Sequence, residues 1–328
     1  MRNAPVTVII AAYRAMGTVA DAVRSALADR QVGEVIVVDD ASPDETMSVA
    51  ASADDGSGRL SVLRQPVNRG PSAARNRALR EATRPYVAIL DADDLFLPGR
   101  LDPLLAVRDW DIIADNIAFV PDVPDLSHLQ QIIPKGRAVR RLGLAEFVHR
   151  NISRRDQRRS ELGFLKPIIS RALLNRQGLL YAEDVRLGED FLLYTEAMAR
   201  GARFLIAQHC GYVAVERPGS LSGRHATSDL IALARGSRAL QPLVPAQSEA
   251  FRALKAHARA LDVKARHRAL LDDKAQIGAM RAIAKLARHP RDVIPVFGAV
   301  LADKRAAEYQ PPPLRLLFDP ADFSLAGQ

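Results

Sequence analysis

The chain has 328 residues, of which 48% are hydrophobic, 26% charged and 5% aromatic, with a formal net charge of +8. That length allows one large domain or two ordinary ones, with apolar material for a real core and a charge content normal for a soluble protein. No run approaches the roughly 18 apolar residues of a membrane-spanning helix, and Cys210, the single cysteine, excludes an internal disulfide and a Cys-based zinc site and fits a reducing cytosol.

In chain order, residues 1–13 carry one basic residue and read as a first strand, Val6–Ala12, rather than a signal peptide. Val19, Ala22/Val23 and Ala26/Leu27 then recur at helical spacing. Glu34–Val38 is a second strand ending in Asp39-Asp40, and Ser42-Pro43-Asp44-Glu45 is a cap and helix start. Leu60–Arg64 is a third strand, Pro71–Thr83 a third helix and Tyr86–Leu90 a fourth strand. Strands alternating with helices predict a doubly wound α/β sheet whose ligands bind beyond the carboxyl ends of its strands. Tyr13, Asp40, Asp91 and Asp93 all follow strand ends.

Residues 111–134 read as irregular, with Pro121, Pro124 and Pro134; residues 142–200 mix helices with one loop, Tyr181–Glu189. Phe204–Ala207 and Tyr212–Val215 read as two short strands. Beyond residue 226 the composition turns to Ala, Arg and Leu. Phe251, Leu254, Ala258, Leu261 and Ala265 keep a three-four helical spacing, as do Ile277, Met280, Ala284 and Ala287. The charge is uneven. Residues 226–310 hold 15 Lys/Arg against 8 Asp/Glu, and residues 135–160 hold nine against two. Basic segments on an otherwise acidic body point to an anionic partner or to solvated helix faces. No nucleic-acid-binding motif is present.

The densest chemistry is at Val87–Leu95, where an apolar run ends in Asp91-Ala92-Asp93-Asp94. Carboxylates so close raise one another's pKa unless a cation offsets them. Oxygen-only ligands suit Mg²⁺ or Mn²⁺, which also hold substrate phosphates; a solvated turn is the plain alternative. The turn after the first strand, Ala11-Ala12-Tyr13-Arg14, lacks the glycines of a dinucleotide fingerprint, and there is no P-loop. A dehalogenase-type phosphatase would carry its aspartate pair after the first strand, not the fourth.

Five blocks, in order over residues 4–225, resemble the inverting glycosyltransferases of family 2, which have the GT-A fold. They are Val6–Tyr13, Ile36–Asp44, Asn68–Asn76, Asp91–Asp94 and Gly188-Glu189-Asp190. Gly163–Asp190 is similar to the exopolysaccharide, succinoglycan-type branch. The resemblance implies a mostly parallel sheet in a GT-A domain over residues 1–225, with a nucleotide-binding half (1–110), an acceptor half (111–225) and a basic helical region (226–328).

It further implies transfer of one sugar from a nucleotide-diphosphate donor, UDP-linked, to a hydroxyl of a lipid-linked saccharide, with Mg²⁺ or Mn²⁺ as cofactor. The setting is the cytoplasmic face of the membrane, with peripheral contact to anionic lipid and no nucleic acid. Ala11, Tyr13 and Asp40 meet the base, Asp40 accepting from a uracil N–H. Arg75, a planar fork of donors, serves base or diphosphate, or pairs with Asp40 or Asp91. Asp91 and Ala92 meet the ribose, and Asp93 with Asp91 holds the metal. Asp190 is the general base, with Glu189 and Asp184 as neighbours that tune it; the plain reading of Glu189-Asp190 is acids in a helix's first turn. Lys166, Glu189 and Arg217 face acceptor or pyrophosphate, with Arg224 as a further candidate for the pyrophosphate and His225 as one for the metal. Ala-Ala-Tyr-Arg replaces the Pro-x-Tyr-Asn of many relatives, and their C-terminal membrane helices are lacking, which argues for single-sugar addition. The competing reading is a non-catalytic nucleotide-sugar-binding or scaffold relative, against which speaks the joint presence of Asp40, Asp91, Asp93 and Asp190.

Overall fold

The predicted alternation holds in the computed structural model, which describes residues 4–122, 125–134, 136–153, 160–216, 226–288 and 314–323, together with Val293, Val296 and Gly298. The first half runs β1 (Val6–Ala12), α1 (Val19–Leu27), β2 (Val32–Asp39), α2 (Thr46–Ser52), β3 (Leu60–Arg64), α3 (Pro71–Glu81) and β4 (Tyr86–Ile89). Then come β5 (Leu95–Phe96), α4 (Leu101–Leu105), β6 (Ile112–Val120), α5 (Leu126–Ile132), β7 (Val139–Arg141), α6 (Leu144–His149), β8 (Ile168–Ser170) and α7 (Arg171–Gln177). The remainder is α8 (Glu189–Ala199), β9 (Phe204–Val215), α9 (Thr227–Ala239), α10 (Glu249–Ile277), α11 (Ala279–Ala287) and β10 (Arg315–Leu316).

One sheet joins the strands in the order β3-β2-β1-β4-β8-β6-β9-β5, with β10 on β6 and β7 on β9. The pairings β3-β2, β2-β1 and β1-β4 are parallel. Covered on both faces, β1 and β2 read as nearly continuous Val and Ile runs rather than alternating patterns. α1 buries Val19, Ala22, Val23, Ala26 and Leu27, one stripe of the helix. α3 starts with Pro71, whose missing N–H is no loss at a first helical position.

The sheet then changes sense. β8 runs antiparallel to both β4 and β6, with Ala88 opposite Ile168. This reversal places the residues just before β8 beside the carboxyl end of β4, and Lys166 is among them.

Residues 112–120, read from the sequence as irregular, form β6, buried along its whole length. The polar pair inside it is satisfied from far along the chain. Asp115 binds Arg100, while Asn116 gives Nδ2–H to the Phe318 carbonyl (2.8 Å) and accepts the Phe318 N–H (3.1 Å). The two short strands read at 204–207 and 212–215 are one strand, β9, whose register against β6 slips around Asn116. Gly211 in that slip gives its N–H to Asp115 Oδ2 at 2.7 Å.

Helices α9 and α10 share the main core. Leu230, Leu233, Ala234, Ala253, Leu254 and Leu261 belong to the same buried cluster as the β1 and β2 side chains. Behind α8, Phe191 stacks on Phe147 (5.7 Å, 16°) and on His257 of α10 (4.2 Å).

Candidate active site

At the carboxyl ends of β1, β2 and β4 the sequence-predicted residues fall into two groups. On the β1–β2 side, Tyr13 stands 42% exposed with Arg14 over its ring at 5.4 Å. Asp40 is tied to the end of β1 by its N–H to the Ala12 carbonyl (2.8 Å), and Ala11 lies in the β1–β2 ladder opposite Val38. The Asp40 carboxylate is buried and accepts three N–H bonds, from Gln65 Nε2 (2.7 Å), Arg69 N (2.9 Å) and Gly70 N (2.7 Å). Its carbonyl accepts from Asn68 Nδ2 at 3.2 Å. Asp40 thus fixes the loop that leads into α3. Gly70 there has φ of 88°, a conformation that only glycine adopts cheaply.

On the β4 side a charge cluster is buried. Arg75, from the second turn of α3, gives Nη2 to Asp91 Oδ1 (2.8 Å) and Nη1 to Glu189 Oε1 (2.7 Å), with Asp190 Oδ1 at 3.5 Å. Lys166 Nζ lies between Asp190 Oδ2 (2.8 Å) and Asp91 Oδ2 (2.9 Å). Arg75, Lys166 and Asp190 are each less than a tenth exposed. Lys166, a surface side chain on the plainest sequence reading, is therefore central. Of the two ways open to Arg75, the ion pair is the one the structure makes, and its partner is Asp91 rather than Asp40.

The cluster explains the local protonation behaviour. Burial alone would raise the pKa of Asp91, but Lys166 and Arg75 outweigh it and hold the carboxylate at about 2. Burial likewise opposes the Lys166 charge, and Asp190 and Asp91 overcome it, raising its pKa. Burial pushes Glu189 up, with Arg75 opposing and Asp190 adding. Asp190 Oδ1 is buried and makes no hydrogen bond. Asp184 is not part of this group: it is exposed and pairs with Arg235 of α9 at 2.6 Å.

The Asp91–Asp94 turn is held by a residue that the sequence reading passed over. The Tyr212 hydroxyl, from β9, accepts the Asp91 N–H (3.1 Å) and donates to Asp94 Oδ2 (2.7 Å), while Asp94 Oδ1 accepts the Val215 N–H (3.1 Å). Burial, with repulsion from Asp93 and Asp91, puts the Asp94 carboxyl well above its ordinary pKa. The Ala92 carbonyl accepts from Thr18 Oγ1 at 2.8 Å. Asp94 is thus engaged inward, while Asp91 and Asp93 stay partly exposed.

Below the cluster, Arg100 and Asp115 form a fully buried ion pair (2.7 Å), and Arg100 Nη2 also donates to the Lys166 carbonyl at 2.5 Å. Phe96 and Tyr212 flank the guanidinium at 4.4 and 5.0 Å. Asn76 joins α3 to the loop before α8, giving Nδ2 to the Tyr181 carbonyl (2.9 Å) and accepting the Tyr181 N–H (2.8 Å). Gly188 begins α8 with φ of 72°, and a Cβ there would meet Leu233 of α9 at 2.8 Å. Arg217, Arg224 and His225 lie outside the described residues.

A parallel half-sheet ending in carboxylates, faced by a cation from the segment just before an antiparallel strand, has the architecture of the GT-A fold. The solved mannosyltransferase PcManGT from Pyrobaculum calidifontis, in complex with GDP-Man and Mn²⁺, shares this fold. The likeness has a TM-score of 0.54 at 23% identity, over 94% of this chain and 81% of that one.

The family described as Glycosyl transferase family 2 matches residues 7–172. The chain is 46% identical over 299 residues to the succinoglycan biosynthesis protein ExoU of Rhizobium meliloti, covering 91% of this chain and 87% of that protein. It is 23% identical over 209 residues to the UDP-Glc:alpha-D-GlcNAc-diphosphoundecaprenol beta-1,3-glucosyltransferase WfgD of Escherichia coli, 63% of this chain and 74% of that enzyme. This chain belongs to glycosyltransferase family 2.

Proposed function

We propose that the enzyme moves a single sugar from a UDP-linked donor to a hydroxyl of a saccharide carried on a lipid diphosphate. The step belongs to the synthesis of an exopolysaccharide or another cell-surface glycan, and the anomeric centre inverts. The observation that carries this reading is Asp190. One of its oxygens is paired with Lys166, and the other, 3.5 Å from Arg75, makes no hydrogen bond and is the one left to accept from an acceptor hydroxyl. In a single displacement the acceptor oxygen gives its proton to Asp190 Oδ1 and bonds to the anomeric carbon. The bond from that carbon to the diphosphate oxygen breaks on the opposite face. The names of ExoU and WfgD support the glycan context, and that of WfgD the UDP donor and lipid-diphosphate acceptor.

On the donor side, Tyr13 and the Ala11–Ala12 edge flank the base. A carboxylate offers about four lone-pair positions, and Asp40 uses three within the protein, which leaves one for a uracil N–H. Asp91 and the Ala92 backbone serve the ribose. Lys166 and Arg75, held by Glu189, give the diphosphate side its positive charge.

Mg²⁺ or Mn²⁺ fits the donor set. Asp93 and Asp91 are the carboxylates that would hold it. Among the described residues no group of three or more His, Cys, Asp or Glu is arranged as a ready-made metal site, in keeping with ions that take one or two carboxylates and complete their shell with phosphate and water. When bound, such an ion offsets the charge that builds on the departing diphosphate. No helix of the described residues is long and apolar enough to cross a membrane; the enzyme works at the cytoplasmic membrane face through peripheral contact with anionic lipid.

The test is nucleoside-diphosphate release from UDP-, GDP- and TDP-sugars with Mn²⁺, comparing wild type, Asp93→Ala and Asp190→Asn. Slow hydrolysis of one donor, lost in Asp93→Ala, is expected. Absence of both turnover and donor binding in the wild type would overturn the reading in favour of a scaffold.

A further inference from the structure

The stripe Ile277, Met280, Ala284 and Ala287 has the spacing of a core-facing helix surface, yet the structure turns it outward. In α11 the residues packed inward are Ala282 and Leu286, one turn apart. Met280 is 82% exposed and Ile283 43% exposed, and Ala284 and Ala287 are exposed with them. At 3.6 residues per turn these four make one stripe opposite Ala282 and Leu286. Arg281, Lys285 and Arg288, all exposed, line up along one flank of that stripe, with Lys285 also paired to Asp273 of α10 at 2.8 Å. Ile277, at the end of α10, is 42% exposed as well.

A short helix with a solvent-facing apolar stripe and a row of cations along its edge has the build of a helix that lies in a lipid headgroup layer. The surrounding charge agrees, with 15 Lys/Arg against 8 Asp/Glu over residues 226–310. A second copy of this face would bring like charges together, whereas an anionic surface satisfies apolar stripe and cations at once. We propose that α11 is the element that docks the protein on an anionic bilayer. Met280 and Ile283 enter the acyl boundary, and Arg281, Lys285 and Arg288 meet lipid phosphates. This deepens the membrane part of the proposed function and rests on the helix alone, not on the catalytic assignment.

The experiment is co-sedimentation of the full chain with vesicles of phosphatidylcholine containing phosphatidylglycerol, against vesicles of phosphatidylcholine alone, at low and high salt. Capture on the anionic vesicles, weakened by salt, is expected. Met280→Asp with Ile283→Asp should lower partitioning by roughly tenfold or more, since two apolar side chains lose their burial. Arg281→Gln and Arg288→Gln should each lower it by about fivefold, the equivalent of ~1 kcal/mol per basic residue near such a surface. These positions are exposed, so circular dichroism should match wild type. Equal capture of the Asp variants, equal capture on neutral vesicles, or self-association abolished by Met280→Asp without vesicle binding would each overturn the proposal. Donor hydrolysis in vesicle-free solution should be the same for Met280→Asp and wild type. Its absence in both would count against the catalytic reading and leave the vesicle result standing.

Discussion

Asp190 and Lys166 show how much a single side chain decides here. With Oδ2 of Asp190 held at 2.8 Å by the Lys166 ammonium, the carboxylate has a fixed orientation and one oxygen to offer. Asp190→Asn keeps that shape while removing the proton acceptor, so transfer should fall by about 10²–10⁴-fold, the usual worth of a positioned base, with donor affinity retained; calorimetric titration beside a transfer assay separates the two. Lys166→Met is expected to do more harm to stability. It leaves Arg75, 2.8 Å from Asp91 and 3.5 Å from Asp190, as the one cation the two carboxylates still share, at a cost on the order of 3 kcal/mol. Urea denaturation of Lys166→Met, Asp190→Asn and the double variant should show that the second change restores part of the loss, the mark of direct coupling. At this scale the sequence was informative about residue types and silent about partners. Asp40, Arg75, Asp91, Asp93 and Asp190 stand out by motif. Nothing local to Lys166 says that it lies between two carboxylates, because that follows from the direction of β8.

At the scale of elements, local pattern carried the parallel half of the sheet. β1, β2 and β4 are unbroken apolar runs ending in acids, and their helices keep a 3.6 period. The pattern failed at β6, where Asp115-Asn116 interrupts the apolar residues. Strand propensity disfavours that pair, and what stabilises it lies far off in sequence, at Arg100 and Phe318. Asp115→Asn should test the point by leaving the Arg100 guanidinium buried without its counter-charge. We expect a loss on the order of 3–5 kcal/mol in denaturant unfolding, and a lower transfer rate because the Lys166 carbonyl loses a firm anchor. Tyr212 escaped notice for the same kind of reason, since β9 reads as two strands and its hydroxyl reaches a turn that is distant in sequence.

The junction of α10 with α8 carries its own signature. Burial, with Lys264 adding, depresses His257 to about 4, against an ordinary value near ~6.5. Between those two pH values the unfolded chain binds a proton that the folded chain refuses. The contribution is therefore full above about pH 6.5 and is lost as the pH falls toward about 4, roughly 3 kcal/mol in all. Urea midpoints measured across that window should slope downward with acid in the wild type and flatten in His257→Gln.

For the whole molecule, the Ala- and Arg-rich composition after residue 226 marks a change of character but does not say what the helices rest on. In the structure Leu233 abuts Gly188, Gly236 of α9 lies against Leu192, and His257 covers Phe191, all around the helix that presents Asp190. A chain ending at residue 225 would expose this part of the core, and we expect it to lose cooperative thermal unfolding and donor binding together. A stable truncated form that still binds donor would show that the sheet supports α8 unaided.

The buried charge cluster also straddles the two halves of the fold. Arg75 and Asp91 come from the first 110 residues, and Lys166, Glu189 and Asp190 from the later part of the chain. Divided at residue 110, the cluster keeps the Arg75–Asp91 pair on one fragment but leaves Lys166 with two carboxylates, Glu189 and Asp190, on the other, so that fragment carries an unmatched acid. Exchange of donor and acceptor preferences between relatives by swapping halves is therefore constrained. A chimaera inherits a working seam only if both parents carry the same five residues, so recombination at this boundary preserves chemistry while varying specificity only outside the cluster.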